Sequence, residues 1–243
     1  MEKIQAYVEI KGIPFIKATN QQLLNDYLYP AIDAKEKKFI VTANPEIVMA
    51  AEEEYFYKKI LKQADYVIAD GIGVVIGSRL MREPLPERIA GYDLMQQLLE
   101  KANQDQLRCY FLGSKQEILD KAVAKVKVNF PDLVIAGSHH GYFDINDPSI
   151  AEAIEKAQPD FIFVGLGFPN QEKWIHRYSN QFSHGMFMGV GGSFDGLAGH
   201  VKRAPKIWQK LNVEWLYRLI KQPSRWKRML QLPRFIWHIL WRK

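Results

Sequence analysis

Two rhythms of apolar residues alternate along this 243-residue chain. Short apolar runs at 6–10, 13–16, 38–42, 66–69, 108–112, 133–136, 160–165 and 185–190 read as strands. Between them apolar residues return every three or four positions, as at Leu94, Leu98 and Leu99. That spacing predicts helices through Leu23–Leu28, from Pro45, and over 55–63, 74–81, 91–103, 114–130 and 149–157, with another opened by 167–174. Local signals agree. Gly12 makes a turn between the first two strands, Thr19 or Asn20 can cap a helix, and Pro45 suits a first helical position. Ser114 followed by Glu117 has the form of a capping box. Strands separated by helices pair in parallel through right-handed crossovers, so the expected fold is α/β. It is a Rossmann-like three-layer sandwich with a mostly parallel sheet and its loops gathered at the C-terminal strand edge.

The pattern changes after residue 200. Trp208, Leu211, Trp215 and Leu219 repeat at helical spacing, as do Trp226, Met229 and Leu230, then Phe235, Ile236 and Ile239. Pro223 and Pro233 divide this tail into short helices. The chain is therefore read as a catalytic body, 1–200, and a basic amphipathic helical C-terminal appendage, 201–243. The formal net charge of +6 sharpens the division. The tail holds twelve Lys and Arg against one acid, Glu214, for a net +11, and five of the six tryptophans. The body is mildly acidic, at −5. Such a tail either packs its apolar faces on the body or lies on an anionic membrane surface, which basic helices with Trp and Phe suit better. Nucleic acid would welcome the same residues, but no nucleic-acid-binding fold accompanies them, and no such partner is expected. No apolar run approaches the roughly 18 residues of a spanning helix. Residues 1–12 lack a signal-peptide pattern, and the lone Cys109 in an apolar context reads as a buried core thiol. The expected location is cytoplasmic.

Candidate chemistry collects in three glycine-rich loops, 70–77, 165–172 and 189–199. Asp70 ends an apolar strand and precedes Gly71. It either caps the helix that follows or serves as a general base, and spacing alone leaves both open. Gly71, Gly73 and Gly77 approach the dinucleotide fingerprint but run one residue too long. They suit a backbone cradle for the phosphates of some other nucleotide. Arg88 follows two prolines and pairs either with a diphosphate or with Glu87 or Asp93. Thr42 and Asn44, at the end of a neighbouring strand, hydrogen-bond a sugar or cap the helix after Pro45. His139 and His140 lack companions at metal-ligand spacing, and no Asp-x-Asp, G-x-S-x-G, Walker loop or H-E-x-x-H is present. No metal and no cofactor are expected.

Together these motifs resemble the WecG/TagA/CpsF family of bacterial glycosyltransferases, glycosyltransferase family 26. The likeness is carried by Thr42-Ala-Asn-Pro-Glu46, Ala69-Asp-Gly-Ile-Gly73, Arg88-Ile-Ala-Gly-Tyr-Asp93, the run from Gly165 to Trp174, the run from Gly189 to Gly199, Arg203-Ala-Pro205 and Glu214-Trp-Leu-Tyr-Arg218. It covers nearly the whole chain. Within the family it is nearest to the N-acetylmannosamine transferases of wall teichoic acid linkage-unit synthesis. The resemblance implies an inverting, metal-independent transfer from a UDP-sugar donor, UDP-ManNAc, to the 4-hydroxyl of GlcNAc on undecaprenyl diphosphate. UDP-glucose or UDP-ManNAcA, in polysaccharide synthesis, stands as the alternative donor, and a non-catalytic basic membrane-binding module as the alternative to an enzyme. The resemblance also implies a peripheral place on the inner membrane face and a homo-oligomer. Carried over by motif, Asp70 is the base. Thr42, Asn44, Arg88 and Gln171 line the pocket, and Asp195 contacts nucleotide. Arg218, Arg225 and Arg228 of the tail are expected to face the diphosphate.

Overall fold

The computed structural model describes residues 6–201, 204–210, 213–221, 226 and 230–241, with the side chains of Gln209, Lys210 and Arg218 left out. Its centre is an eight-stranded sheet in the order β1-β2-β4-β3-β8-β7-β5-β6. The strands are β1 (Tyr7–Ile10), β2 (Ile13–Ile16), β3 (Lys37–Ala43), β4 (Tyr66–Ala69), β5 (Arg108–Gly113), β6 (Val134–His139), β7 (Phe161–Gly165) and β8 (Gly185–Gly189). Only the β1–β2 edge hairpin is antiparallel, turning at Lys11 and Gly12, both at positive φ. All other pairs are parallel.

Alternation along the strands divides the core in two. In β3, Phe39, Val41 and Ala43 point to one face and Ile40 to the other. The first face is covered by α1 (Pro45–Glu53), α2 (Tyr55–Gln63), α3 (Ile72–Leu80), α6 (Ser149–Lys156) and α7 (Asn170–Tyr178). The second is covered by the helical stretch from Asn20 to Asp33, by α4 (Gly91–Gln104), α5 (Gln116–Asn129) and α8 (Ser193–Leu197). This is the expected three-layer α/β sandwich. The central strands are apolar throughout because helices bury both their faces.

The tail packs as well as projects. Beyond α9 (Lys206–Lys210) and α10 (Glu214–Lys221), helix α11 (Gln231–Trp241) lies against α1 and α3. Its Phe235 is fully buried in the first-face core, and Arg234 pairs with Glu53 at 2.7 Å. Of the two prolines expected to divide the tail, Pro223 lies outside the described residues and Pro233 falls at the start of α11. It sits in the first turn of α11, where a missing N–H breaks no helical bond.

Two other local expectations are corrected and one is refined. Ser114 is not a helix cap. Helix α5 begins after Lys115 with no side-chain cap, and Ser114 adopts a φ of 61°. Its N–H donates to Gly165 and its carbonyl accepts from Gly141, at 3.1 and 2.8 Å, so it ties loop ends together. Strand β6 runs to His139, beyond the expected 136, because Ser138 and His139 stay paired with Phe111 and Leu112. The helix after Thr19 does carry a reciprocal capping box, formed with Gln22. It then widens into a π-helical segment, Leu23–Leu28, just before Pro30, which has no N–H to give.

Candidate active site

The C-terminal ends of β4, β3, β8 and β7 surround a cleft of about 600 Å3. All three glycine-rich loops reach it, through Gly71, Gly167 and Gly191. An open α/β sheet leaves a crevice at this edge because the connections part there to opposite faces.

Asp70 stands at the cleft floor and is held from two sides. Its N–H donates to Ala43 at 3.0 Å, extending the β3–β4 pairing by one residue. Across from it, Ile89 N–H donates to the Ala69 carbonyl at 3.0 Å and Arg88 Nε to the Asp70 carbonyl. Gly91 N–H donates to Asp70 Oδ1 at 2.8 Å. Asp70 therefore does hold a helix start, but that of α4. The helix directly after it, α3, starts at Gly71 without any side-chain cap. Holding α4 uses one carboxylate oxygen. Among the described residues Oδ2 has no hydrogen-bond partner, and the side chain is 33% exposed, toward the cleft.

Arg88 forms its ion pairs with Asp70 Oδ1 at 3.8 Å and with Glu214 Oε2 at 3.4 Å. Of the two alternatives for Arg88, pairing with Glu87 or Asp93 is not seen, and Glu87 instead accepts the Asn20 N–H at 2.6 Å. Glu214 comes from the tail, at the first position of α10, and is only 4% exposed. It brings a tail carboxylate into the cleft beside Asp70. Its signal was visible, since it is the single acid in a strongly basic segment.

The remaining lining residues are mostly engaged with protein. Thr42 is buried and its hydroxyl donates to the Gly189 carbonyl at 2.9 Å, bridging β3 and β8. Asn44 caps α1, its Oδ1 accepting Ile47 N–H at 3.0 Å. Gln171, 2% exposed, donates to Glu172 at 2.7 Å and accepts the Gly191 N–H at 3.0 Å. Those two bonds fix the amide. Flipped, it would set its carbonyl against a carboxylate and its amino group against an N–H. The Asp195 carboxylate lines the cleft and has no hydrogen-bond or ion-pair partner among the described residues.

Glu172 went unnoticed in the sequence. It is fully buried and also accepts the Tyr57 hydroxyl at 3.2 Å. Burial raises its carboxyl above the usual carboxylate range, against the bonds from Gln171 and Tyr57, which lower it. Burial likewise pushes the Tyr57 phenol up, helped by the adjacent Glu172 charge. Helical counting would have found Glu172, because it shares a face with Ile175 and lies beside Gln171 in α7.

The glycines after Asp70 are required by packing, and Gly71 and Gly73 also line the cleft. A Cβ on Gly71 would lie 2.8 Å from the Pro45 ring. One on Gly73 would run into Leu232, and one on Gly77 would lie 2.7 Å from Phe235. One turn apart on α3, Gly73 and Gly77 make the furrow into which α11 settles. Of the tail arginines, Arg225 and Arg228 lie outside the described residues, and Arg218 is described only as backbone within α10. Among the described residues no group of three His, Cys, Asp or Glu is placed to hold a metal. His139 and His140 contact each other, with His139 Nδ1 2.8 Å from the His140 carbonyl. Cys109 is buried, and burial raises its thiol, which fits a core residue.

The chain is similar to known proteins along nearly its whole length. The profile of the Glycosyl transferase WecG/TagA/CpsF family matches residues 8–243. A relative from Bacillus subtilis (strain 168) is 42% identical over 233 residues, 95% of this chain and 90% of the relative. Another, from Staphylococcus aureus (strain MW2), is 40% identical over 235 residues, 96% and 92% of the two chains. A third, from Bacillus spizizenii, is 43% identical over 209 residues, 86% and 81%. All three are named N-acetylglucosaminyldiphosphoundecaprenol N-acetyl-beta-D-mannosaminyltransferase. With the family profile and these relatives spanning nearly all of its length, the chain belongs to the WecG/TagA/CpsF family of glycosyltransferases.

Proposed function

We propose that the chain transfers N-acetylmannosamine from UDP-ManNAc to the 4-hydroxyl of GlcNAc on undecaprenyl diphosphate, in wall teichoic acid linkage-unit synthesis. The names of its relatives support the acceptor and the sugar. The observation that carries the chemistry is Asp70, which lines the cleft, anchored through Oδ1 and the main chain while Oδ2 has no hydrogen-bond partner among the described residues. Oδ2 takes the proton from the acceptor hydroxyl as that oxygen attacks the anomeric carbon. The bond from that carbon to the UDP oxygen breaks on the opposite face, so configuration inverts. One carboxylate suffices for this step. Negative charge develops on the departing diphosphate and needs donors already in place. Arg88 supplies N–H groups beyond those spent on Asp70 and Glu214. Asp195, in α8, is the nucleotide contact, and Gln171 holds the loop before that helix through Gly191.

The test uses the full chain, UDP-ManNAc and a soluble GlcNAc-diphosphate lipid. The expected product is the β-linked disaccharide on diphosphate. Asp70→Asn keeps the Gly91 bond to Oδ1 and should keep the fold, but lowers turnover about 10²–10⁴-fold. Undiminished transfer by Asp70→Asn removes Asp70 from the role of base. No transfer by the parent chain overturns the reading as a whole.

A further inference from the structure

The tail encloses a second concavity. Helices α10 and α11 line an apolar groove of about 490 Å3 with Trp215, Leu232, Pro233, Ile236, Trp237 and Leu240. Among the described residues no charged side chain lines it. Trp215 and Leu232 also line the catalytic cleft, so the two cavities share a wall. Helix α11 explains the geometry. It turns Phe235 and His238 inward onto the body and leaves Trp237, Leu240 and Trp241 at 52%, 53% and 74% exposure. A cluster of large apolar side chains kept in water marks a binding surface.

We infer that this groove binds the isoprenoid chain of the lipid-linked acceptor, over the units next to its diphosphate. The inference rests on the transferase reading given above. Its occupant has to be apolar and slender, and has to continue into a polar group lodged in the cleft. A polyprenyl diphosphate has that construction, with its head near Arg88 and its chain leaving past Trp215 and Leu232. A groove that serves only to touch a bilayer has no need to share a wall with the site of chemistry. Recognition at this position selects the lipid carrier itself, in addition to the sugar it bears. It also draws the first part of the chain out of hydrocarbon and onto the protein.

The test is made in solution, without vesicles or detergent, with GlcNAc-diphosphate acceptors ending in methyl or in one, two or three isoprene units. With the groove in use, acceptor KM falls by at least about tenfold between methyl and two isoprene units, from burial of apolar carbon. The donor KM stays constant along the series. Trp237→Ala and Leu240→Ala, both at half-exposed positions, abolish the chain-length dependence and leave turnover of the methyl acceptor unchanged. Trp237→Phe restores most of it. An acceptor KM that ignores chain length, with transfer intact, overturns the groove and leaves the proposed function standing. So does a dependence that appears only when vesicles are added, which would make this face a bilayer contact. Absence of transfer to every acceptor overturns the transferase reading, and the groove with it.

Discussion

At the scale of single residues, Glu172 is the group whose ionisation the fold feels most directly. Burial raises its carboxyl in the folded protein above its value in the unfolded chain. Between those two values the folded state binds more protons than the unfolded one, so stability falls as pH rises through that window. The parent protein should therefore melt higher in mild acid than at neutral pH on account of this group. Glu172→Gln removes that slope, read as thermal midpoints at several pH values against the parent. An unchanged slope would show that Glu172 does not titrate in the window. The same variant lets the Gln171 amide flip, since a neutral neighbour accepts either orientation, and the donor KM rises as the Gly191 loop loses its anchor. Asp70 was legible in the sequence because a carboxylate directly after an apolar strand and before glycine stands out. Its bond to Gly91 was not, because that contact spans 21 positions and depends on where the 88–91 segment returns.

At the scale of elements, the fit of α11 into α3 leaves no room for a side chain at Gly73 or Gly77. Gly77→Ala places a methyl 2.7 Å from the Phe235 ring, which is itself fully buried. Overpacking of this kind costs about 1–3 kcal/mol. The strain falls on the tail, the element with the fewer supports. Hydrogen exchange in α11 should quicken in Gly77→Ala while exchange in the central strands stays slow. Equal quickening in both would mean that tail and body open together. The strands were readable from their apolar runs because helices cover both sides of them. The furrow was not, because Gly73 and Gly77 look the same in sequence whether their missing side chains make room for a phosphate or for Leu232 and Phe235. Ser114 misled for a related reason. Its spacing to Glu117 fits a cap, but neighbouring loop ends claimed its backbone first.

At the scale of the whole molecule, charge and connectivity join the two ends of the chain. A net charge of +11 on the tail predicts binding to anionic vesicles that weakens as salt rises, with little binding to neutral ones. Binding indifferent to both would leave the tail as packing alone. Deleting everything after residue 200 removes Glu214 from Arg88 and α11 from its furrow. The body should still melt as a unit, while transfer falls about 10²-fold through misplacement of Arg88. Sheet order has a consequence of another kind, in the time the chain takes to be made. The last strand synthesised, β8, lies in the middle of the sheet between β3 and β7. Until it emerges from the ribosome, the nascent protein is two half-sheets with their inner edges uncovered. Arg88 then waits for a partner encoded 126 residues downstream, on the order of 6–25 s at ordinary rates of translation. The cleft of the newborn chain thus stays unfinished until Glu214 has been added.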